Sequence, residues 1–189
     1  MIKQLITLNR SYRRFDNNYQ IETSKLKELI GLARLSASGG NIQPLKFILS
    51  CEKHRNAKIF EHLAWAGYLS DWDGPVEQER PSAYIIIVGD TGISKNFGCD
   101  HGIAAQSILL GAVEMGLGGC MVGSIKRDKL REELAIPVQY EILLVIALGK
   151  PIEKIVIEPA ESGNIKYWRD ADGIHHVPKR SVSELLLEL

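Results

Sequence analysis

Apolar residues recur along positions 23–37 at the spacing of one helical face. Leu26, Leu29, Ile30, Ala33 and Ala37 fall at i, i+3, i+4, i+7 and i+11, which predicts an amphipathic helix with a single buried stripe. Thr23 or Ser24 is placed to cap its start. Residues 2–9 carry a shorter stripe of Ile2, Leu5 and Ile6. Residues 52–65 predict a helix with Ile59, Phe60 and Leu63 inward, and residues 126–135 a short charged helix ended near Pro137. Three runs read as strands: 45–50, 83–89 (AYIIIVG) and 140–149 (YEILLVIALG). The second is nearly continuous in apolar residues, the mark of a central strand covered on both faces. Residues 100–116 are different again. Ile103, Ala104, Ala105, Ile108, Leu109, Leu110, Ala112, Val113 and Met115 leave almost no polar face, so this helix must be buried nearly all round. In a domain this small, packing against a second copy of the chain is one way to achieve that.

Between the 23–37 helix and the 45–50 strand lies the turn SASGGNIQP. Gly39 and Gly40 open backbone conformations closed to other residues and let a ligand approach the chain. Pro44 lacks an N–H and biases Gln43 towards extended geometry, so the helix cannot run through. Two hydroxyls and two carboxamides, with no charge among them, suit a flat polar heterocycle. An ordinary helix end and loop accounts for the same residues.

Near the N-terminus, Arg10-Ser11-Tyr12-Arg13-Arg14-Phe15 sets three arginines around a serine. Arginine forks suit phosphate oxygens. Cations at a helix C-terminus are also explained by the helix dipole alone. Residues 66–81 show no period and hold Tyr68, Trp72, Gly74 and two prolines. An irregular segment of that size in a compact domain is usually functional or mobile, and its aromatics can cover a flat ligand as a lid or anchor a surface loop. Residues 116–123, GLGGCMVG, resemble a dinucleotide fingerprint but fail it. The sixth position is Met121, and the run follows a helix and enters a strand, the reverse of the Rossmann order. It reads as a glycine-marked helix end and a short strand. From Lys150 the chain turns polar. Residues 165–168 read as an edge strand and 182–187 as a small helix, in a tail expected to lie on other structure, in particular a partner subunit.

The 189 residues suit one domain, residues 1–189, with 45% hydrophobic residues to form its core. Lys+Arg and Asp+Glu balance at 23 each, so no electrostatic feature points to nucleic acid or an anionic membrane. No apolar run approaches a membrane span, and the first residues lack the features of a signal peptide; a cytoplasmic location is expected. Cys51, Cys99 and Cys120 are dispersed and odd in number, which indicates neither a disulfide framework nor a zinc site. His175-His176 lack supporting metal-ligand spacing and read as exposed tail histidines, so no metal is expected. Asp100-His101 and His175-His176 are the nearest acid–base candidates. Several binding stretches without an evident catalytic side chain fit a protein whose chemistry belongs to a cofactor.

Taken together, Arg10-Ser11-x-Arg13-x-Phe15, the Ser38-x-x-Asn41-x-Gln43-Pro44 turn, the helix leading into GLGGCMVGSI and the 134–151 segment ending in Gly-Lys-Pro resemble the nitroreductase family of FMN enzymes, with a tail similar to that of a short bacterial branch. The resemblance implies an α+β sandwich, a mixed or mostly antiparallel central sheet flanked by helices, in an intertwined homodimer with FMN at the interface. It implies that Arg10, Ser11 and Arg13 hold the FMN phosphate and ribityl chain. Ser38, Gly39 and Asn41 would reach the flavin from the other subunit, with Gln43 supporting that turn. The backbone at Val122 and Gly123 would pass the isoalloxazine, and Lys179 or Arg180 would add a phosphate contact. Tyr68 and Trp72 would form the variable lid over the acceptor. NADH or NADPH would reduce the flavin, and a nitroaromatic, quinone or similar acceptor would take the electrons in a ping-pong cycle. A flavin carrier or sensor with little turnover, and a related flavin enzyme of dehalogenation or oxidation, remain alternatives.

Overall fold

A computed structural model describes residues 1–187. Its elements in order are α1 (Ile2–Leu8), α2 (Thr23–Arg34), β1 (Leu45–Ser50), α3 (Lys53–Phe60), β2 (Ala83–Asp90), α4 (Asp100–Glu114), β3 (Gly118–Val122), α5 (Arg127–Glu133), β4 (Tyr140–Gly149), β5 (Ile155–Pro159), β6 (Trp168–Arg169), β7 (His175–Lys179) and α6 (Val182–Leu185). The main sheet is wholly antiparallel, in the order β1-β2-β4-β3. Its central strand β2 is buried from Ala83 to Gly89, as its unbroken apolar run demands.

Alternation along β2 divides the core. Ile85 and Ile87 face α2 and α4, packing with Leu26, Leu29, Ala105 and Ile108. Tyr84, Ile86 and Val88 face the other way, towards Ile59 of α3, Leu130 of α5 and Trp65. The result is an α+β sandwich with helices on both sheet faces. Gly111 lets α2 and α4 close on each other, because a side chain there would collide with Leu32 and Leu29.

Several expected boundaries move. Neither Thr23 nor Ser24 caps α2; Glu22 occupies that position without a side-chain cap bond. The Thr23 hydroxyl instead lies 3.1 Å from Cys51 Sγ, and Ser24 donates to Glu22. The helix ends at Arg34 rather than Ala37, where Ser36 Oγ lies 3.1 Å from the Leu32 carbonyl oxygen and 2.7 Å from Ser107 Oγ. Side-chain hydroxyls that compete for helix carbonyls end helices in this way. The 52–65 helix stops at Phe60 because Leu63 pairs with Ile125, and Ala64 donates to the Ser124 carbonyl at 2.9 Å.

The apolar α4 is only partly covered within one chain. Ala104, Ala105, Ile108, Leu109 and Ala112 are buried, whereas Ile103 is exposed and Leu110 and Val113 are half-buried. Leu32, Leu35, and Ile2, Ile6 and Leu8 of α1 also stay exposed.

The tail is more structured than its composition suggests. Strand β7 pairs in parallel with β5 and antiparallel with β6. The expected edge strand at 165–168 is confined to Trp168–Arg169, and the helix at 182–187 to Val182–Leu185. Residues 150–153 lie on the chain's own N-terminal arm: Asp16 N–H donates to the Lys150 carbonyl at 2.8 Å and Ile152 N–H to the Arg14 carbonyl at 3.1 Å. Val182 and Leu185–Leu187 are exposed.

Candidate functional site

The segment after α1 crosses the end of β3, where Ser11 bridges Gly119 and Tyr12 N–H donates to the Gly119 carbonyl at 3.0 Å. Gly118 allows this approach, since a side chain there would run into Tyr12 and Pro151. Beside the crossing opens a cleft of about 330 Å³ in which Arg10, Ser11, Arg13 and Lys179 meet. Four residues from opposite ends of the sequence thus converge. Arg180 is exposed and is not part of this wall.

The arginines have separate tasks. Arg14 is engaged by Glu79 through paired bonds of 2.7 and 2.5 Å, which hold the Glu79 carboxyl below its ordinary range. Arg10 donates to the Ile6 carbonyl at 2.7 Å and so caps α1, while its Nε is buried without a partner among the described residues. The dipole and anion readings are therefore compatible at this residue. Arg13 has no carboxylate in ion-pair range among the described residues. Its guanidinium meets the Ser11 carbonyl at 3.2 Å, His175 Nε2 at 3.4 Å and the face of Tyr167 at 5.0 Å.

Glu153 fixes this arrangement. Its side chain is almost wholly buried. It accepts from the backbone N–H groups of Arg13 and Arg14 and from Arg169 Nη2 at 3.1 Å. The carboxylate ties the N-terminal arm, the start of the tail and β6 together.

Tyr167, which the sequence does not single out, and His175, read there as an acid–base candidate or an exposed tail residue, also line the cleft. His175 is 1% exposed, a correction to its reading as an exposed tail residue; the alternating faces of the short β7 place it inward. Burial first, then the Arg13, Arg169 and His176 charges, push its pKa down to about 4. Because Arg13 can only donate, Nε2 accepts and the imidazole proton sits on Nδ1. His176 faces the other way, 2.9 Å from Glu158 and 3.2 Å from Asp170, and those carboxylates raise its pKa, Glu158 foremost.

These neighbours respond oppositely to pH. An unfolded histidine takes its proton near pH 6.5, whereas His175 resists until about pH 4. The unfolded state binds more protons in that window, so this residue's contribution to stability is lost as pH falls from 6.5 to about 4. The contribution of His176 is present at low pH and lost as pH rises through its raised pKa. Urea unfolding of wild type and His175→Gln at pH 7 and pH 4.5 isolates the first effect: the stability difference between them is expected to shift towards the variant at pH 4.5. An identical difference at both values would remove the assignment.

The SASGGNIQP turn lines a separate cleft of about 240 Å³, which includes Ser38, Gln43, Asp100 and Phe47. Asp100, buried at the start of α4, accepts from Ser38 Oγ at 2.6 Å and from Gly39 N–H at 2.9 Å. Ser38 Oγ in turn accepts from Gln43 N–H at 2.9 Å. Gln43 is not extended as Pro44 predicts; it lies at φ +54°, with Gly40 and Asn41 both at +55°. The Ser38–Gln43 bond and the Gln43 Nε2 bond to the Asn41 carbonyl at 3.2 Å hold this conformation. Left-handed backbone outside glycine costs free energy and collects at functional sites. Gly39, Asn41 and Gln43 are exposed, so the carboxamides face outward. Within one chain the turn and the Arg13 cleft share no lining residue.

Val122 is buried in the core beside Tyr84, Gly123 is exposed with open space where a side chain would be, and neither lines the Arg13 cleft, whose wall at this strand is Gly119 and Met121. Tyr68 is half-exposed. Its N–H donates to the Tyr167 hydroxyl at 3.3 Å, and the two rings lie 4.9 Å apart. Trp72 carries the Arg169 guanidinium 4.6 Å from its ring centre. The irregular 66–81 segment is thus docked on the tail at both aromatics, and through Tyr167 it reaches Arg13. Cys120 is buried, which pushes its thiol pKa up and makes it a poor nucleophile. Among the described residues, no group of three or more His, Cys, Asp and Glu side chains is placed to hold a metal ion, and no helix is long and apolar enough to cross a membrane.

Comparison with known proteins returns a match to the model of the Nitroreductase family over residues 6–83 and 79–150. An oxygen-insensitive NADPH nitroreductase of Helicobacter acinonychis is 35% identical, over 80% of this chain and 88% of that protein. The structure of a nitroreductase family protein from Streptococcus pneumoniae superposes with a TM-score of 0.73 over the whole of both chains at 17% identity. That of an FMN-dependent nitroreductase from Clostridium difficile does so with 0.66 at 24% identity, over 82% of this chain and 89% of its own.

Proposed function

Because the chain belongs to the nitroreductase family, we propose that it is an FMN-dependent oxidoreductase that uses NAD(P)H to reduce nitroaromatic, quinone or similar conjugated acceptors. The observation that carries this reading is the Arg13 cleft. Arg13, Arg10, Ser11 and Lys179 offer hydrogen-bond donors and positive charge with no acidic partner for Arg13 among the described residues, which fits a phosphate group. When bound, FMN would supply the hydride and electron-transfer chemistry between NAD(P)H and the acceptor, so the protein needs no paired acid and base of its own.

The polypeptide's part is position and electrostatics. Arg13, held by Glu153 through its backbone and flanked by His175 and Tyr167, presents its fork to the phosphate. Neutral His175 adds no positive charge of its own at neutral pH and leaves Arg13 as the donor. The open space at Gly123 gives a flat ring room beside the end of β3. The outward carboxamides of Asn41 and Gln43 do not line the Arg13 cleft of their own chain, and they suit that cleft in a second copy. Asp100 keeps that turn rigid. The exposed apolar residues of α1, α2 and α4 are the surface that a homodimer covers, and Val182 with Leu185–Leu187 are further exposed apolar residues for a partner to cover. Ile103 belongs to that surface; Leu109 is already buried inside its own chain. Tyr68 and Trp72 select the acceptor.

Donor and acceptor take turns in one pocket under this reading. Initial rates with NADPH and a quinone, varied together, are expected to give parallel double-reciprocal lines. Intersecting lines would mean that both substrates bind at once and would overturn the ping-pong assignment.

A further inference from the structure

A third cavity, of about 440 Å³, shares no residue with either cleft described above. It lies between α3, the start of β2, and residues 17–20 and 77–82. Its volume falls within the range of small-molecule sites, and none of the flavin chemistry uses it.

The polar groups lining it are unequally satisfied. Asn56 is complete: its carboxamide accepts from Ser50 Oγ at 2.8 Å and donates to the Ser82 carbonyl at 2.7 Å. Tyr84 is 1% exposed, and its hydroxyl has no partner among the described residues. Burial pushes the pKa of this phenol up, so it remains an O–H donor. Arg80 lies with its guanidinium carbon 4.0 Å from the centre of the Phe60 ring. Its Nε is buried without a partner, and no carboxylate stands in ion-pair range of it among the described residues. Glu52 and Glu77 also line the cavity, but both are exposed, as is Lys53. A buried donor left unmade is costly. The Tyr84 hydroxyl and the Arg80 guanidinium, whose own Nε is unpartnered, together call for an acceptor-rich anion.

The apolar wall narrows the class. Phe60, Tyr19, Ala57 and Pro81 surround the donors. A bare phosphate would leave that wall in water, whereas a planar aromatic body covers it. A guanidinium stacked on a ring presents its edge as a fork that matches a carboxylate in two parallel bonds. We propose that this cavity is a second binding site, separate from the flavin cleft, for a small aromatic carboxylate. Arg80 takes the carboxylate, Tyr84 donates to it, and Tyr19, Ala57 and Pro81 flank the ring.

The test is a benzoate titration of the FMN-loaded protein followed by amide NMR, with Arg80→Gln and Tyr84→Phe beside wild type. It does not depend on turnover, and it separates the two sites by where the shifts appear. Saturable shifts at Ala57, Phe60 and Ser82 are expected in wild type. Each substitution should weaken that binding about tenfold or more, the scale of a hydrogen bond to a charged group. Tyr84→Phe keeps the ring packing, so it tests the hydroxyl even if Arg80→Gln folds poorly. Three results would overturn the proposal: shifts confined to the Ser11–Tyr167 cleft, binding at Ala57 and Ser82 that ignores both substitutions, or inorganic phosphate producing the same shifts at the same concentrations.

Discussion

Replacing Arg13 by alanine weakens FMN binding by about one to two orders of magnitude, the consequence of losing a charge-assisted contact of roughly 1.5–3 kcal/mol. The expectation follows from the division of labour among the three arginines. Arg14 is committed to Glu79 and Arg10 partly to the α1 carbonyls, so Arg13 is the guanidinium with most left to give. Its removal leaves Glu153 bonded to the backbone N–H of residue 13, so the arm keeps its path and the fold is retained. Fluorescence titration of free FMN reads the affinity directly. Unchanged affinity would show that the cleft beside Gly119 is not where the phosphate sits. Arg14→Ala serves as contrast: it should lower thermal stability and leave FMN affinity within a few-fold.

The second large effect is structural. Glu153→Ala removes a buried carboxylate that serves two backbone N–H groups and Arg169. Truncating one partner of a buried pair costs about 3–5 kcal/mol, because the other charge stays behind. For a chain of this size that corresponds to a fall in Tm of about 10 °C. Glu153→Gln keeps the shape and an acceptor oxygen, and should fall between the two. The arm carrying Arg13 is released in the alanine variant, so FMN affinity should drop together with Tm. A Tm within a degree or two of wild type, by scanning calorimetry, would mean that the tail is held by something other than this carboxylate.

Local chemistry explains what the sequence discloses and what it hides. Strands β2 and β4 are legible because a strand covered on both faces admits nothing but apolar residues, and α4 because a helix without a polar face announces its burial. The glycine-rich run at 116–123 reads correctly as a helix end and short strand, since Gly116 takes φ +70° just after α4 and β3 begins at Gly118. The α2 cap misleads because Thr23 has a better partner in Cys51, a contact between residues 28 apart. Gln43 departs from the pre-proline rule because Ser38 Oγ holds its N–H. Asp100 shows in the sequence as an acid–base candidate with His101, yet its place is to brace the turn that carries Ser38 and Gly39. His175 and Tyr167 are hidden for another reason. Their side chains reach Arg13 only after the tail folds back across some 150 residues, and no local period records that return. The short alternation of β7, with His175 inward and His176 outward, is the one local signal that bore on them.

The measurement that tests the central claim most directly is the visible absorption spectrum of the purified protein with FMN, followed by anaerobic addition of NADH and then NADPH. Flavin bands that bleach with either nucleotide are the predicted result, establishing cofactor and donor in one experiment. Flavin that binds but does not bleach would contradict the enzymatic reading and favour a flavin carrier or sensor. Protein that remains colourless in the presence of added FMN would contradict the cofactor assignment itself.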